Sequence, residues 1–348
     1  MSNIFDRIHI SPPELVKTDA QLGAFTLDGS FVPLRNPDGT YCFLHTSYSE
    51  KPNFHRFVGT PEDLFQNDIL YEMDYNGYTH AEPSGVWIMS AYKYPDGMLV
   101  GFCHRELVSN TDPAFGNCFF IGLAVSHDGG RSWKYIGDIV SNVLNGGSFM
   151  ANMGGVPLLV KDGYFYIYFN DADRDMVQRI SAARMRIDET KACLMEGKLP
   201  QVFKYTGSGI WKTDPMKCAG ASILPDVGFR LDAHAKGVYC KALDMYLLTM
   251  QTNAEARLIL FASRDCEHFD QHIILDTAEE GKEMQPYSFF ISTDGDCSDD
   301  MNVVGKEFYI YYPRKGTLLG KPTAKYDYGY DDLYRVKVTI DDGFQSIP

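Results

Sequence analysis

The feature that most constrains the fold of this chain is a strand–turn–strand unit that recurs five times. Its clearest copy is residues 154–173, GGVPLLVKDGYFYIYFNDAD. Val156-Pro157-Leu158-Leu159-Val160 is a short apolar run, and Asp162-Gly163 supplies the positive-φ positions of a two-residue hairpin. Tyr164 to Phe169 is aromatic or β-branched at every position, as suits a buried strand. The unit leaves through the polar Asn170-Asp171-Ala172-Asp173. The same order of polar start, apolar strand, turn, apolar strand and polar end occupies residues 28–50, 82–106, 232–252 and 285–315. The units begin at intervals of roughly 50–80 residues, somewhat longer than a regular propeller repeat. Five units read as an all-β fold, a five-bladed β-propeller with one unit in each blade, forming a single domain over residues 1–348.

The segments between the units fill in the blades. Phe119–Val125 and Trp133–Val140 read as outer strands of blade 2, Ile180–Ile187 continues blade 3, Arg257–Ser263 is the outer strand of blade 4, and Leu333–Ile340 that of blade 5. Residues 51–79 complete blade 1, and the alternating Phe5–Ile10 closes the ring on the last blade. Tight turns are expected at Asp38-Gly39, Asp96-Gly97, Asp162-Gly163 and near Gly305. The connection 188–231, which carries Trp211, is the longest and is expected to fold over the mouth of the site. No segment is expected to be helical beyond a turn or two.

Composition narrows the function classes. The net charge is −14, which speaks against nucleic acid and anionic membrane surfaces as partners, since both need a basic face. Tyr and Phe number 22 each, favouring sheet over helix. No apolar stretch approaches the ~18 residues of a membrane-spanning helix. The eight cysteines include no CxxC pair, and Cys42, Cys103 and Cys240 fall inside predicted strands, where Cys acts as a small apolar residue. The opening MSNIFDRIHISPPELV lacks the pattern of a secretory leader. The expectation is a reduced, cytoplasmic protein without a cofactor, although the channel could hold a structural calcium ion.

Propeller geometry sorts the polar residues. The first strand of each blade starts on one face of the disc, and the antiparallel second strand ends on that same face. The starts bring Asp28, Glu82, Asn152, Asp232 with His234, and Gln285 to one end of the channel. The ends bring His45, His104 with Glu106, Asn170 with Asp171 and Asp173, Gln251, and Arg314. Charged groups are tolerated beside an apolar core only when paired or solvated in a cleft. Paired carboxylates across a cleft are the equipment of glycoside hydrolysis, and facing across a channel suits the wider gap of about 6.5–9.5 Å found in inverting enzymes.

Two motifs carry resemblances. Ser126-His127-Asp128-Gly129-Gly130-Arg131-Ser132-Trp133 resembles the Asp-box turn of sialidases and other propellers, and Ser263 to Phe269 is a decayed copy. Both read as structural turns. The whole pattern resembles the five-bladed propeller glycosidases of glycoside hydrolase family 43 and its relatives, which act on furanosides and pentosides. FVPLRNPDGTYCFLHTS is similar to their opening hairpin, which follows the catalytic base, and this places the base at Asp28. Ala81-Glu82-Pro83 is similar to a segment of their second blade. The family's third-blade Asp is here Asn152, and its fourth-blade Glu acid is replaced by Asp232-Ala233-His234.

The expected catalytic set is therefore Glu82 or Glu106 as acid and Asp28 as base, with His104, Asp171 and His234 orienting a sugar. Asp232 or His234 is the fallback for the acid. His45, Asn152, Asp173, Asp232 and Gln285 are expected to bind an oligosaccharide substrate. Trp211 either stacks on a sugar face or packs the long connection, and Arg314 either binds an acidic sugar or balances carboxylates. The competing readings are a glycoside phosphorylase, which needs a cluster of cations, and a non-catalytic carbohydrate-binding propeller.

Overall fold

A computed structural model of the chain describes residues 4–18, 21, 29–47, 53–61, 63–64, 66–70, 72–74, 84–108, 117–142, 153–172, 178–228, 231–252, 256–278, 283–284, 287–315 and 331–341. They form five antiparallel sheets, the five blades of a β-propeller. Blade 1 is Val32–Arg35, Tyr41–Ser47, Asn53–Gly59 and Gln66–Leu70. Blade 2 is Ser84–Lys93, Leu99–Val108, Asn117–Ser126 and Ser132–Ser141, with Glu72–Asp74 added in parallel outside. Blade 3 runs from Gly155–Lys161 through Tyr164–Ala172 and Gln178–Arg186. Blade 4 is Gly237–Cys240, Met245–Thr252, Arg257–Ser263 and Gln271–Thr277, and blade 5 holds Phe289–Ser292, Glu307–Lys315 and Asp331–Ile340.

Each inner hairpin is buried on both faces because it is clamped between two neighbouring blades. Val156, Leu158, Phe165, Ile167 and Phe169 of blade 3 pack with Val100, Phe102 and Ile121 of blade 2. Leu159, Tyr166 and Tyr168 pack on the other side with Leu248, Met250 and Phe261 of blade 4. This alternation puts successive residues of one strand into two different cores, so the strand reads as a continuous apolar run. Asp162 and Gly163 both adopt positive φ, and Gly39 and Gly97 do so in the first two hairpins. The outer turn of blade 2 is held by one carboxylate. Asp128 Oδ1 accepts from the Arg131 and Ser132 backbone N–H groups, and its Oδ2 accepts from the Ser132 hydroxyl. Trp133 packs beneath and donates its indole N–H to the Gly130 carbonyl. Asp265 organises the equivalent turn of blade 4, with Phe269 buried under it.

The long connection after blade 3 differs from the expectation. It begins with a nine-residue helix, Ile187–Met195, and then supplies the two outer strands of the blade, Phe203–Tyr205 and Trp211–Lys212. Two strands this short carry no readable alternation.

Ring closure is double. Ile8–Ile10 and Glu14–Lys17 pair antiparallel with Asp331–Ile340, so the start of the chain completes blade 5. On the face of the disc opposite the strand starts, the connection of the blade 5 hairpin is a loop, residues 293–306, in place of the tight turn expected near Gly305. The loop crosses beneath the channel. Arg35 N donates to the Asp299 carbonyl in blade 1, Lys93 N donates to Asp300 in blade 2, and Val303–Val304 adds in parallel to Gly237–Cys240 of blade 4.

Candidate active site

On the open face, the strand ends of blades 2, 3 and 4 bring two carboxylate–imidazole pairs together. In blade 2, the His104 Nε2 lies 3.0 Å from Glu106 Oε1, and its Nδ1 lies 3.0 Å from the Met153 carbonyl of blade 3. A carbonyl only accepts, so Nδ1 carries a hydrogen. The Nε2–Glu106 contact must hold a proton as well, either on the ring or on the carboxyl group. His104 is buried between Trp87 and Phe119, its ring stacked on the latter at 6.0 Å, whereas 23% of the Glu106 side chain remains exposed. The carboxyl end of the pair is thus its more exposed end.

The second pair comes from blade 4. Asp232 Oδ1 receives the His234 Nδ1–H, the His234 backbone N–H at 3.0 Å and the Asn170 amide at 3.0 Å. Asn170 in turn accepts from the Ala233 N–H, which locks the segment onto blade 3. Burial alone would raise the Asp232 carboxyl, but the His234 charge and these donors overcome it and hold it down at about 2. The His234 ring sits edge-on to His104 at 5.7 Å and to Tyr287 of blade 5 at 5.5 Å. Gly154 forms its floor: a Cβ there would lie 1.8 Å from the ring. The sequence pointed to His104, Glu106, Asp232 and His234, and the structure brings these four together.

Beneath this cluster the channel holds a residue that sequence reasoning passed over. Lys236, 8% exposed, reaches from blade 4 to blade 2 and donates to the Met89 carbonyl at 2.6 Å and to Ser90 Oγ at 3.2 Å. Ser90 donates to the Val156 carbonyl of blade 3, and Thr249 and Ser288 join blades 4 and 5 at 2.6 Å. The one signal in the sequence was a lysine inside an otherwise apolar strand start, AHAKGVY. An ammonium with hydroxyls and carbonyls around it is a poor seat for calcium. Among the described residues no group of three or more His, Cys, Asp or Glu could hold a metal ion.

Other candidates are placed elsewhere. Asp171, 1% exposed, forms a buried ion pair with Lys204 at 2.9 Å and accepts the Gly220 N–H. Lys204 also donates to the Ser141 and Cys218 carbonyls. Asp171 thus pins the long connection onto blades 2 and 3 and has no open oxygen for a sugar. Trp211 lies on the outermost strand of blade 3, against Tyr205 and 4.2 Å below the Arg184 guanidinium, so it packs the rim. Arg314 is bound to Asp276 of blade 4, which also accepts from the Tyr312 hydroxyl, so it balances a carboxylate. His45 is fully buried, its ring stacked on Phe31 at 4.3 Å. Asp28, Glu82, Asn152, Asp173 and Gln285 lie outside the described residues.

No protein-family model matches the chain, and no curated protein matches it. Solved structures do. The catalytic domain of a Coprinopsis cinerea GH62 α-L-arabinofuranosidase is 12% identical, with 97% of each chain covered and a TM-score of 0.51. A Bacillus subtilis arabinanase is 12% identical over 91% of this chain and 94% of its own, with a TM-score of 0.46. An α-L-arabinofuranosidase from Fusarium graminearum is 12% identical over 90% and 94%, with a TM-score of 0.42. At such identity the likeness is one of backbone architecture: the chain is a five-bladed propeller that distantly resembles the propeller glycosidases.

Proposed function

We propose that the chain is a glycoside hydrolase acting on a furanoside or pentoside oligosaccharide, with Glu106 as the proton donor. The observation that carries this reading is the obligatory proton between His104 and Glu106, placed beside a carboxylate, Asp232, that is held ionised. A proton donor and an ionised carboxylate at one cleft are what acid–base cleavage of a glycosidic bond requires. The proton shared with His104 Nε2 passes through Glu106 to the leaving oxygen, and the proton taken from the attacking water returns through solvent to restore it. Asp232 fixes the orientation of the His234 ring by accepting its Nδ1–H. Asp28 remains the proposed base, deprotonating water on the far side of the ring, which makes the displacement inverting.

The fold of the arabinofuranosidase domain agrees with this substrate class. Among the described residues, Arg105 and Arg314 are already engaged, with Asp138 and Asp276 respectively, which disfavours phosphorolysis; Arg174 lies outside them. The proposed setting is the cytoplasm, and Cys42, Cys103, Cys193, Cys218, Cys240, Cys266 and Cys297 are free thiols. The test is a panel of nitrophenyl furanosides and pyranosides followed by proton NMR of the first-formed anomer. Release from a furanoside or pentoside with inverted configuration is the expected result. No release from any member of the panel by the wild type, or equal release by Glu106→Gln on an unactivated glycoside, overturns the assignment.

A further inference from the structure

We infer that Lys236 is a positioning residue for His234, fixing both the segment that carries the imidazole and the floor on which it rests. The argument follows the hydrogen bonds. Lys236 lies two residues after His234, and its ammonium is anchored across the channel on the Met89 carbonyl and the Ser90 hydroxyl. The serine's single hydrogen goes to the Val156 carbonyl, so its oxygen is the acceptor of the lysine. The lysine thereby ties blade 4 to blade 2, and through Ser90 to blade 3, at one point below the imidazole pair.

Both ends of that tie bear on His234. On the blade 4 side, the Lys236 carbonyl accepts from Thr249 N and Thr249 Oγ1 of the neighbouring strand, and the His234 carbonyl accepts from Tyr287 N of blade 5. On the blade 3 side, the floor is Gly154-Gly155-Val156. Gly155 has φ +96°, and a Cβ there would meet the Ala233 carbonyl at 2.2 Å. Val156 has φ +137°, a conformation a β-branched residue adopts only when its surroundings hold it, at a cost of about 1–3 kcal/mol. The Ser90 hydroxyl is one of the groups holding it. Without the lysine–serine link, the strained turn beneath the ring and the segment above it lose their common anchor.

Burial pushes the Lys236 ammonium down to about 7, with Asp300 of the blade 5 loop opposing. Blade 2 offers it a carbonyl and a hydroxyl, and the titratable groups along its own segment are Asp232, His234, Tyr239 and Cys240. Two N–H bonds suffice for the Met89 and Ser90 contacts, so the anchor survives in the neutral amine.

The inference rests on the hydrolase reading for what His234 does, but not for how it is held. Its test is therefore partly independent of activity. The imidazole nitrogens of His234 are followed by 15N NMR through a pH titration in the wild type, Lys236→Met and Ser90→Ala. The expected result is a shift of the His234 midpoint by about half a unit or more in both variants, while the exposed His9 and His268 keep theirs. An unmoved His234, or equal movement of all three histidines, overturns the inference. If Lys236→Met does not fold, Ser90→Ala alone decides by the same criterion. On a nitrophenyl furanoside the expected loss is in kcat, about tenfold or more with KM within about twofold, and a loss confined to KM overturns it. A wild type inactive on the whole panel sinks the hydrolase reading and leaves the NMR comparison standing.

Discussion

Glu106 and Asp232 are both carboxylates at the same cleft, and what separates them is the partner each imidazole can offer. His104 has already given its Nδ1 hydrogen to a carbonyl, so its contact with Glu106 needs a second proton. His234 turns Nδ1 to Asp232 and leaves that group ionised. Replacing Glu106 by Gln is expected to lower turnover of an unactivated glycoside by about 10²–10⁴, and by much less with a nitrophenol leaving group, which needs little protonation. Steady-state rates on both substrates check this. Asp232 also contributes to stability. Its carboxyl is held at about 2 against an ordinary 3.8, so the contribution is complete above 3.8 and fades as pH falls through about 2. The unfolding free energy of wild type over Asp232→Asn, measured in urea, is expected to shrink by about 2 kcal/mol across that window. Histidines and carboxylates at strand ends were legible because the repeat placed them on one face. Lys236 was not, because a single lysine in an apolar run carries no sign of what lies across a channel. Asp171 misled for the mirror reason: its partner, Lys204, comes from a strand too short to read.

At the scale of single elements, the inner hairpins were legible and the peripheral strands much less so. Asp-Gly turns bounded by aromatic runs identify a hairpin from local chemistry alone. The outer strand Phe203–Tyr205 depends on pairing with Gln178–Arg186, Trp211–Lys212 depends in turn on Phe203–Tyr205, and both depend on the anchoring of their connection. That anchor can be tested. Lys204→Met leaves Asp171 buried and unpaired, with an expected cost of about 3–5 kcal/mol. The double change Lys204→Met with Asp171→Leu is expected to recover a good part of it, measured by denaturant unfolding. The outer turn of blade 2 gives a contrasting expectation. Asp128→Ala removes the acceptor for two backbone N–H groups and two hydroxyls. The expected cost is about 1–3 kcal/mol, with turnover per folded molecule unchanged, because the turn is at the rim.

At the scale of the whole molecule, the ring is held shut in two places. The alternation of Phe5–Ile10 made the outer closure readable, and the register Ile8 with Ile340 follows it. The crossing of residues 293–306 under the channel was hidden in a stretch that reads as turn residues, because the contacts that carry it across are with the distant blades 1, 2 and 4. Removing residues 1–18 would expose Asp331–Ile340 as an unpaired sheet edge. The expected outcome is self-association and loss of a single cooperative transition, checked by analytical ultracentrifugation and scanning calorimetry.

The pairing of Ile8–Ile10 with the strand that ends at Ile340 also sets a schedule for biosynthesis. The partner of Ile8–Ile10 leaves the ribosome about 330 residues later, on the order of tens of seconds at about 5–20 residues per second. Through that interval blades 1 to 4 can stack in order of emergence, while the first strand waits as a bare β-segment. Its alternation of Ile8 and Ile10 with the polar His9 makes it a modest target for chance pairing, and the neighbouring Pro12-Pro13 interrupts any longer one.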